Sequence, residues 1–291
     1  MAVYDADGTI LHAVYDADGS ELSKAYDSDG TVIYQKEPTT LKVMTYNVGQ
    51  WYIGSHDNVP ADKDAEYYAL QNGIIQSVDA DILFLEEYTA QFSKAGRTAL
   101  SMLQSSYPYY HEETNGTTTT VAQRAIFSKY PISNYVAQAF SGIGAGYYYD
   151  RCMVNVDGYD ILLVVTHLHW DDSSERASEA QTIINTVQNY ERFIIGGDFN
   201  LEDFSSTSGE DYQNVVKPFV DKGYHIANGG SFGFIPTYSD TSDGSVWGNL
   251  DEIVTSANIT IDSVTTDRTK VTDSIVEKID HIPLIAVLSI D

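Results

Sequence analysis

Residues 161–200 open on Ile161-Leu162-Leu163-Val164-Val165-Thr166-His167-Leu168-His169 and close on Phe193-Ile194-Ile195-Gly196-Gly197-Asp198-Phe199-Asn200. Between them Ala177, Ala180, Ile183, Ile184 and Val187 recur at the spacing of one helix face. The two apolar runs have the length of buried strands, so the stretch reads as strand, helix, strand. Each strand ends on residues that carry chemistry: His167 on the first, Asp198 and Asn200 on the second. Residues two apart in an extended segment face the same way, so Asp198 and Asn200 can address one site.

The same pattern continues outward. Leu41–Tyr46 predicts a strand ending at Asn47, and Ile82–Leu85 a buried strand ending at Glu86-Glu87. Ala125–Phe127, Arg151–Val156, Ile253–Val254, Ile259–Val264 and Ile285–Ile290 complete the strands. Helices are predicted over Glu66–Val78, Phe92–Leu103, Glu175–Tyr190 and Tyr212–Lys222, the last kinked or divided by Pro218. Strands mixed with a few amphipathic helices predict an α/β domain of two sheets covered by helices.

Residues 1–38 stand apart. Tyr4-Asp5-Ala6-Asp7-Gly8 recurs as Tyr15-Asp16-Ala17-Asp18-Gly19 and as Tyr26-Asp27-Ser28-Asp29-Gly30. Asp-Gly between β-prone residues is a hairpin signal, so this segment predicts a small β-hairpin module for attachment or self-association. The Asp-x-Asp-Gly motif also resembles the start of a calcium loop, but the distal glutamate of an EF-hand is absent. Residues 35–40 read as the linker, leaving 39–291 as the second domain.

The formal net charge of −26 argues against an extensive nucleic-acid interface, which needs basic surface. It leaves open a small phosphorylated substrate, or a polyanion bridged by a divalent cation. One cysteine, Cys152, excludes an internal disulfide framework. No run approaches the length of a membrane span, and the N-terminus lacks the pattern of a signal peptide. Abundant tyrosine and few basic residues favour an extracellular or particle-exposed setting.

The polar strand ends supply a consistent chemistry. Asp198 beside Asn200 can deprotonate a water while the amide holds a phosphoryl oxygen. Glu87, with Asn47 at another strand end, offers hard oxygen ligands, and Glu86 reads as a solvated strand end because successive residues face opposite ways. Asp280-His281 with Asp251 suggests an imidazole held by a carboxylate. His167 should emerge on the sheet rim; His169 is either on that rim or in the loop. Arg124 and Arg151 are candidates for phosphate binding or for structural ion pairs. Zinc-type spacings are missing, so the expected cofactor is Mg²⁺ or Mn²⁺, with Ca²⁺ as a further option.

In order, Thr45-Tyr46-Asn47, Leu85-Glu86-Glu87, Thr166-His167-Leu168, Gly197-Asp198-Phe199-Asn200, Leu250-Asp251-Glu252-Ile253 and Asp280-His281-Ile282-Pro283 resemble the motifs of the endonuclease/exonuclease/phosphatase (DNase I-like) superfamily. Arg124-Ala125-Ile126-Phe127-Ser128-Lys129-Tyr130-Pro131 resembles a further family stretch. The resemblance implies a four-layer α/β sandwich, with two central mixed sheets flanked by helices and the site at one rim. It implies that Glu87, Asn47 and Asp280 hold a metal and that Asp198 activates the attacking water. It further implies that Asn200 holds phosphate, that His281 and Asp251 act on the scissile group, and that His167 assists the transition state or leaving group. Two positions depart from the family pattern: Glu86 replaces a usual Gln, and Ile279 a usual Ser. The expected function is metal-dependent hydrolysis of a small or lipid-linked phosphoester. The alternatives are a nonspecific endonuclease and an inactive binding module. Aromatic residues near the motifs, among them Trp51, Tyr147, Tyr148, Tyr149, Trp170, Phe232, Phe234 and Trp247, either meet substrate or pack the rim.

Overall fold

The computed structural model describes residues 3–4, 10–11, 15, 24–26, 32–35, 38–49, 64–88, 99–112, 124–140, 148–202, 204–238, 248–267 and 281–290. Residues Met1–Thr39 form one compact unit and Thr40–Asp291 another. In the first unit, β1 (Val3–Tyr4) pairs antiparallel with β2 (Ile10–Leu11), and β3 (Lys24–Tyr26) with β4 (Val32–Gln35). Asp-x-Asp-Gly stretches lie between the partners in sequence. Of the expected linker, Gln35 ends β4, and Thr39 and Thr40 open the next strand.

The second unit is built on two six-stranded sheets. The first runs β15 (Ile259–Thr266), β16 (Leu284–Ile290), β5 (Thr39–Asn47), β6 (Ile82–Glu86), β8 (Arg124–Ser128) and β7 (Tyr109–Glu112). The second runs β13 (His225–Ile226), β14 (Asp251–Thr255), β12 (Phe193–Asp198), β11 (Tyr159–His167), β10 (Tyr148–Val156) and β9 (Ile132–Ala139). Parallel pairs β5–β6 and β11–β12 sit among antiparallel ones, so both sheets are mixed. β11 and β12 are joined by α3 (Ser173–Val187), the crossover that a parallel pair requires.

Apolar faces dictate the layering. Ile74, Ile75 and Val78 of α1 (Asp64–Val78) and Met102 and Leu103 of α2 (Ala99–Leu103) cover Met44, Leu83, Leu85 and Phe127 on the outside of the first sheet. Ala180, Ile183, Ile184 and Val187 of α3 cover Leu162, Val164, Phe193 and Ile195 on the outside of the second. The inner faces meet through Leu41, Val43, Ile82, Phe84, Leu163, Val165, Ile194 and Ile253, all buried. The result is the expected four-layer sandwich.

Gly196 lies on the inner face of β12, where a Cβ would run into the Phe84 ring of the opposite sheet. Gly197 faces the other way, beside Thr166 on β11 and Glu252 on β14, and a Cβ there would strike the Thr166 carbonyl. Gly196 thus lets the two sheets close on Phe84 at the row just below Asp198, and Gly197 lets β12 lie close against β11.

Helix ends differ from expectation for local reasons. Asp172 caps α3, accepting from the amides of Ser174 at 2.8 Å and Glu175 at 3.1 Å, so the helix begins two residues early. The segment expected as one helix over Tyr212–Lys222 is a π-helical turn, Tyr212–Val216, followed by α4 (Lys217–Asp221). Pro218 follows directly on the π-helical turn, in which the Lys217 amide donates to the Tyr212 carbonyl five residues back, and sits in the first turn of α4. The upstream part of the helix expected over Phe92–Leu103 falls outside the described residues. No helix among the described residues is long and apolar enough to cross a membrane.

Candidate active site

Strand parity builds the site. The inward columns that form the dry core continue one row further into polar residues: Thr45 and Asn47 on β5, Glu86 on β6, Arg124 on β8, Asp150 on β10, His167 on β11, Asp198 on β12 and Asp251 on β14. Register aligns them across each sheet. His167 pairs with Asp198 and Asp198 with Asp251 in one sheet, and Asn47 with Glu86 and Glu86 with Arg124 in the other.

Asp198 is the hub. Its Oδ1 accepts the Asn200 amide at 2.8 Å. Its Oδ2 accepts Asn47 Nδ2 at 2.9 Å and lies 3.5 Å from both His167 Nε2 and His281 Nε2. Both imidazoles stand beyond a good hydrogen bond. His281 Nδ1 lies 3.0 Å from Asp251 Oδ2, which fixes the ring and leaves Nε2 toward Asp198. Tyr238 packs edge-on to the His281 ring, and the Ile282 amide donates to the Thr237 carbonyl at 2.7 Å. Asp251 is held in turn, its amide donating to Thr237 Oγ1 at 3.0 Å.

Glu86 and Glu87 both reach the site, by different routes. Glu86 is fully enclosed on the inner face and accepts Thr45 Oγ1 at 2.9 Å. The expectation of a solvated strand end is therefore corrected: parity turns Glu86 inward. Burial pushes its carboxyl well above the usual range, and the charge of Asp251 adds to the shift. Burial likewise raises Asp251, against the opposing pull of His281. Glu87 follows the strand in a left-handed conformation, φ 49°, which brings its Oε1 to 3.3 Å from Asn47 Nδ2. Asn200 is also left-handed, φ 51°, and its Nδ2 donates to the Leu168 carbonyl at 2.8 Å. Such backbone costs of order 1 kcal/mol for a residue other than glycine. It occurs here at two residues that face the same hub.

Several expected roles are corrected. Asn47 presents its amide nitrogen to Asp198 and Glu87 while Oδ1 accepts the Gly49 amide at 2.9 Å. In this geometry its nitrogen orients both carboxylates, and its oxygen keeps one lone pair beyond the Gly49 bond. Arg124 is buried and bound to Asp150 at 3.1 Å, which is the ion pair of the two readings. Arg151 has the opposite parity. It faces the helix layer and donates to Tyr190 Oη at 3.1 Å, away from the hub. His169 is a loop residue whose ring nitrogens lie 2.9 Å from Asp171 and 3.0 Å from Glu175, so it too is committed within the protein. Asp280 lies outside the described residues, as do Trp51, Tyr147 and Trp247.

The donors present fit a hard cation. Asp198, Asp251 and His281 bring ligand atoms within 4.8 Å of one another, and Glu87 adds a half-buried carboxylate. Glu86 Oε2 and Asp251 Oδ1 are buried without a hydrogen-bond partner, which is costly for carboxylate oxygens. His281 Nδ1 and Asp251 Oδ2 are engaged with each other, while His281 Nε2 and the remaining Asp251 oxygen are not part of that contact.

Residues 44–273 match the Endonuclease/Exonuclease/phosphatase family. This chain belongs to that family. Its fold is shared with truncated TDP2 from Caenorhabditis elegans, at 20% identity and a TM-score of 0.63, covering 86% of this chain and 97% of that one. It is shared with an endonuclease/exonuclease/phosphatase family protein from Bacteroides thetaiotaomicron, at 18% identity and 0.63, covering 89% and 100%. D. rerio TDP2 complexed with a single-strand DNA product is similar at 15% identity and 0.64, covering 86% and 99%. No curated protein matches the chain. Membership in the endonuclease/exonuclease/phosphatase family identifies the fold as that of a phosphoester hydrolase.

Beside the hub, an enclosed scaffold holds the loop after β11. Arg176 is bound to Asp211 through two nitrogens at 3.1 and 3.0 Å, and donates to the carbonyls of His169 at 3.2 Å and Trp170 at 3.1 Å. Glu179 accepts the His169 amide at 2.8 Å. Burial raises the Glu179 carboxyl to about 7, with the His169 N–H opposing the shift. The folded state thus holds this proton more tightly than the unfolded chain does. Its contribution to stability is complete below the ordinary glutamate range and is lost as pH rises through about 7. Glu179→Gln should therefore melt near wild type at pH 5 and above it at pH 8, the gap opening between these values. Parallel melting curves at all pH values would contradict the assignment.

Proposed function

We propose that this protein is a divalent-cation-dependent phosphoester hydrolase acting on small or lipid-linked phosphoesters. The observation that carries the reading is the convergence of Asn47, His167 and His281 on Asp198 Oδ2. Asp198 accepts a proton from water as the water oxygen bonds to phosphorus. His281, held by Asp251, binds a phosphoryl oxygen through Nε2. His167 gives a proton to the departing oxygen as the phosphorus–oxygen bond breaks, and Asn200 steadies the phosphate with the amide hydrogen not used by Leu168. Glu87 would hold the cation, Mg²⁺ or Mn²⁺, together with Asp280; when bound, it neutralises charge on the phosphoryl oxygens.

Similarity to a TDP2 bound to DNA supports a second reading, an endonuclease. The charge of −26 weighs against a long polyanion. Among the described residues, Arg124 and Arg151 are both paired within the protein. The complete hub weighs against an inactive binding module. We infer further that residues 1–38 serve attachment or self-association, on the strength of their repeated hairpin motif.

The test compares bis(p-nitrophenyl) phosphate with supercoiled plasmid, each with Mg²⁺ or Mn²⁺ and with EDTA. Cation-dependent release of nitrophenol with little plasmid nicking is expected. Efficient nicking that falls steeply with salt would transfer the assignment to a nuclease. Cation binding with no turnover of either, nor of phospholipid vesicles, would restore the inactive-module reading.

A further inference from the structure

Ala227-Asn228-Gly229-Gly230 reads in sequence as a turn, and a turn asparagine usually spends its side chain on its own backbone two residues on. Asn228 does otherwise. It is fully buried, and its side chain reaches two distant stretches of the chain. Its Oδ1 accepts the Ile235 amide at 2.8 Å. Its Nδ2 donates to the Ile235 carbonyl at 2.8 Å and to the Asp251 carbonyl at 3.2 Å. A residue whose N–H and C=O both bond one partner is placed as in an antiparallel ladder. Here a single side chain takes the part of the neighbouring strand.

Asn228 is itself anchored. Its amide donates to Glu252 Oε1 at 2.7 Å, and the amides of Ala227 and Ile253 reach the same oxygen at 3.0 and 2.9 Å. Glu252 is fully enclosed and follows Asp251 on β14. The base of the clamp is therefore the strand that carries Asp251.

The clamp holds the segment on which the histidine is seated. Ile235 stands two residues before Thr237, so their Cα atoms are no more than about 7.6 Å apart. Residues 234–237 belong to no strand, so side-chain contacts do the work of a ladder there. Thr237 meets both halves of the pair: its Oγ1 accepts the Asp251 amide at 3.0 Å, and its carbonyl accepts the Ile282 amide at 2.7 Å. Tyr238 forms a backbone bridge to His281, and the two rings stand 5.3 Å apart. We infer that Asn228 is a positioning residue for the His281–Asp251 pair. It acts through Ile235 and Thr237, and sets where His281 Nε2 stands relative to Asp198. The consequence for turnover rests on the hydrolase reading, but the positioning itself does not.

The test reads the pair directly. In protein labelled with ¹⁵N-histidine, the His281 Nδ1 proton bonded to Asp251 gives a downfield imidazole resonance, assigned by its loss in His281→Gln. This resonance should move upfield or exchange away in Asn228→Ala. It should do the same in Thr237→Val, which keeps the volume of Thr237 but removes the acceptor of the Asp251 amide. In both variants kcat/KM for bis(p-nitrophenyl) phosphate with saturating Mg²⁺ should fall about tenfold to a hundredfold, the scale of a misplacement near 1 Å. Thr237→Ser restores the hydroxyl and should recover both readouts. Ile75→Ala opens a cavity in the helix layer outside the first sheet, and should lower stability while leaving both readouts near wild type. If Asn228→Ala does not fold, Asn228→Ser takes its place, with a smaller change in the same direction. A resonance lost in the variants of a protein that turns over no phosphoester would end the hydrolase reading and leave the positioning intact. An unchanged resonance in the Asn228 variant, or the same loss in Ile75→Ala, would overturn the inference.

Discussion

Asp198→Asn is expected to lower kcat by about 10³- to 10⁴-fold, the upper part of the range for loss of a positioned general base. The amide keeps the volume of the side chain and an oxygen to accept the Asn200 amide, now bonded at 2.8 Å, but it cannot take a proton from water. KM should move only a few-fold, because the residues assigned to phosphate, His281 and Asn200, are untouched. The thermal midpoint should change little, because relief of charge repulsion opposes the loss of an acceptor for Asn47 Nδ2. Asp198 is buried close to Glu86 and Asp251, and both of those carboxyls feel its charge as a repulsion. Asp198→Ala should be equally inactive, with some loss of stability because Asn47 Nδ2 and the Asn200 amide lose their acceptor. Retention of more than a tenth of the wild-type rate in the Asn variant, measured on the small diester with saturating cation, would remove Asp198 from the water-activating role.

The second large effect falls on stability. Arg124→Ala is expected to cost about 4 kcal/mol, because breaking a buried ion pair leaves the other charge without compensation. For a domain of this size that is a drop of roughly 10 °C in the thermal midpoint. The pair joins β8 of one sheet to β10 of the other at 3.1 Å, with both side chains enclosed. Arg124→Leu combined with Asp150→Leu should recover most of the loss, since a well-packed apolar pair can replace a buried ionic one. Measured well below the melting range, KM for the small diester should stay near wild type in Arg124→Ala. A raised KM with an unchanged melting curve would return Arg124 to the substrate.

These corrections show where sequence is informative and where it stops. The columns Leu41-Val43-Thr45-Asn47, Leu163-Val165-His167 and Ile194-Gly196-Asp198 are legible because strand period two carries the inward face from core to rim. The same period places Glu86 inside with Phe84 and turns Arg151 outward, since it alternates with the inward Asp150 and Cys152. Glu87 obeys no period: it enters only because the chain turns left-handed after β6, and an isolated φ is not written in apolar spacing. Arg124 has the right parity, but its choice of Asp150 over substrate depends on how two sheets meet. His169 was ambiguous for a similar reason, because its carboxylate partners Asp171 and Glu175 are brought to it by the start of α3. The family motifs were informative for the fold because they are strand ends in a fixed order. They were less so for substrate, which the rim loops decide.

The continuity of core column and catalytic row has a consequence for how such a protein can diversify. Within β12, a point substitution alters one side chain, but a single-residue insertion between Ile194 and Asp198 would invert the alternation, sending Asp198 to the helix side and offering Phe199 to the reaction centre. Length change is therefore disruptive inside β12, whereas the outlying pairs β10–β9 and β15–β16 already absorb an extra residue as a bulge. A lineage built on this frame would keep its hydrolytic chemistry through conservation of the length of β12, and would acquire new preferences by lengthening and recolouring the rim.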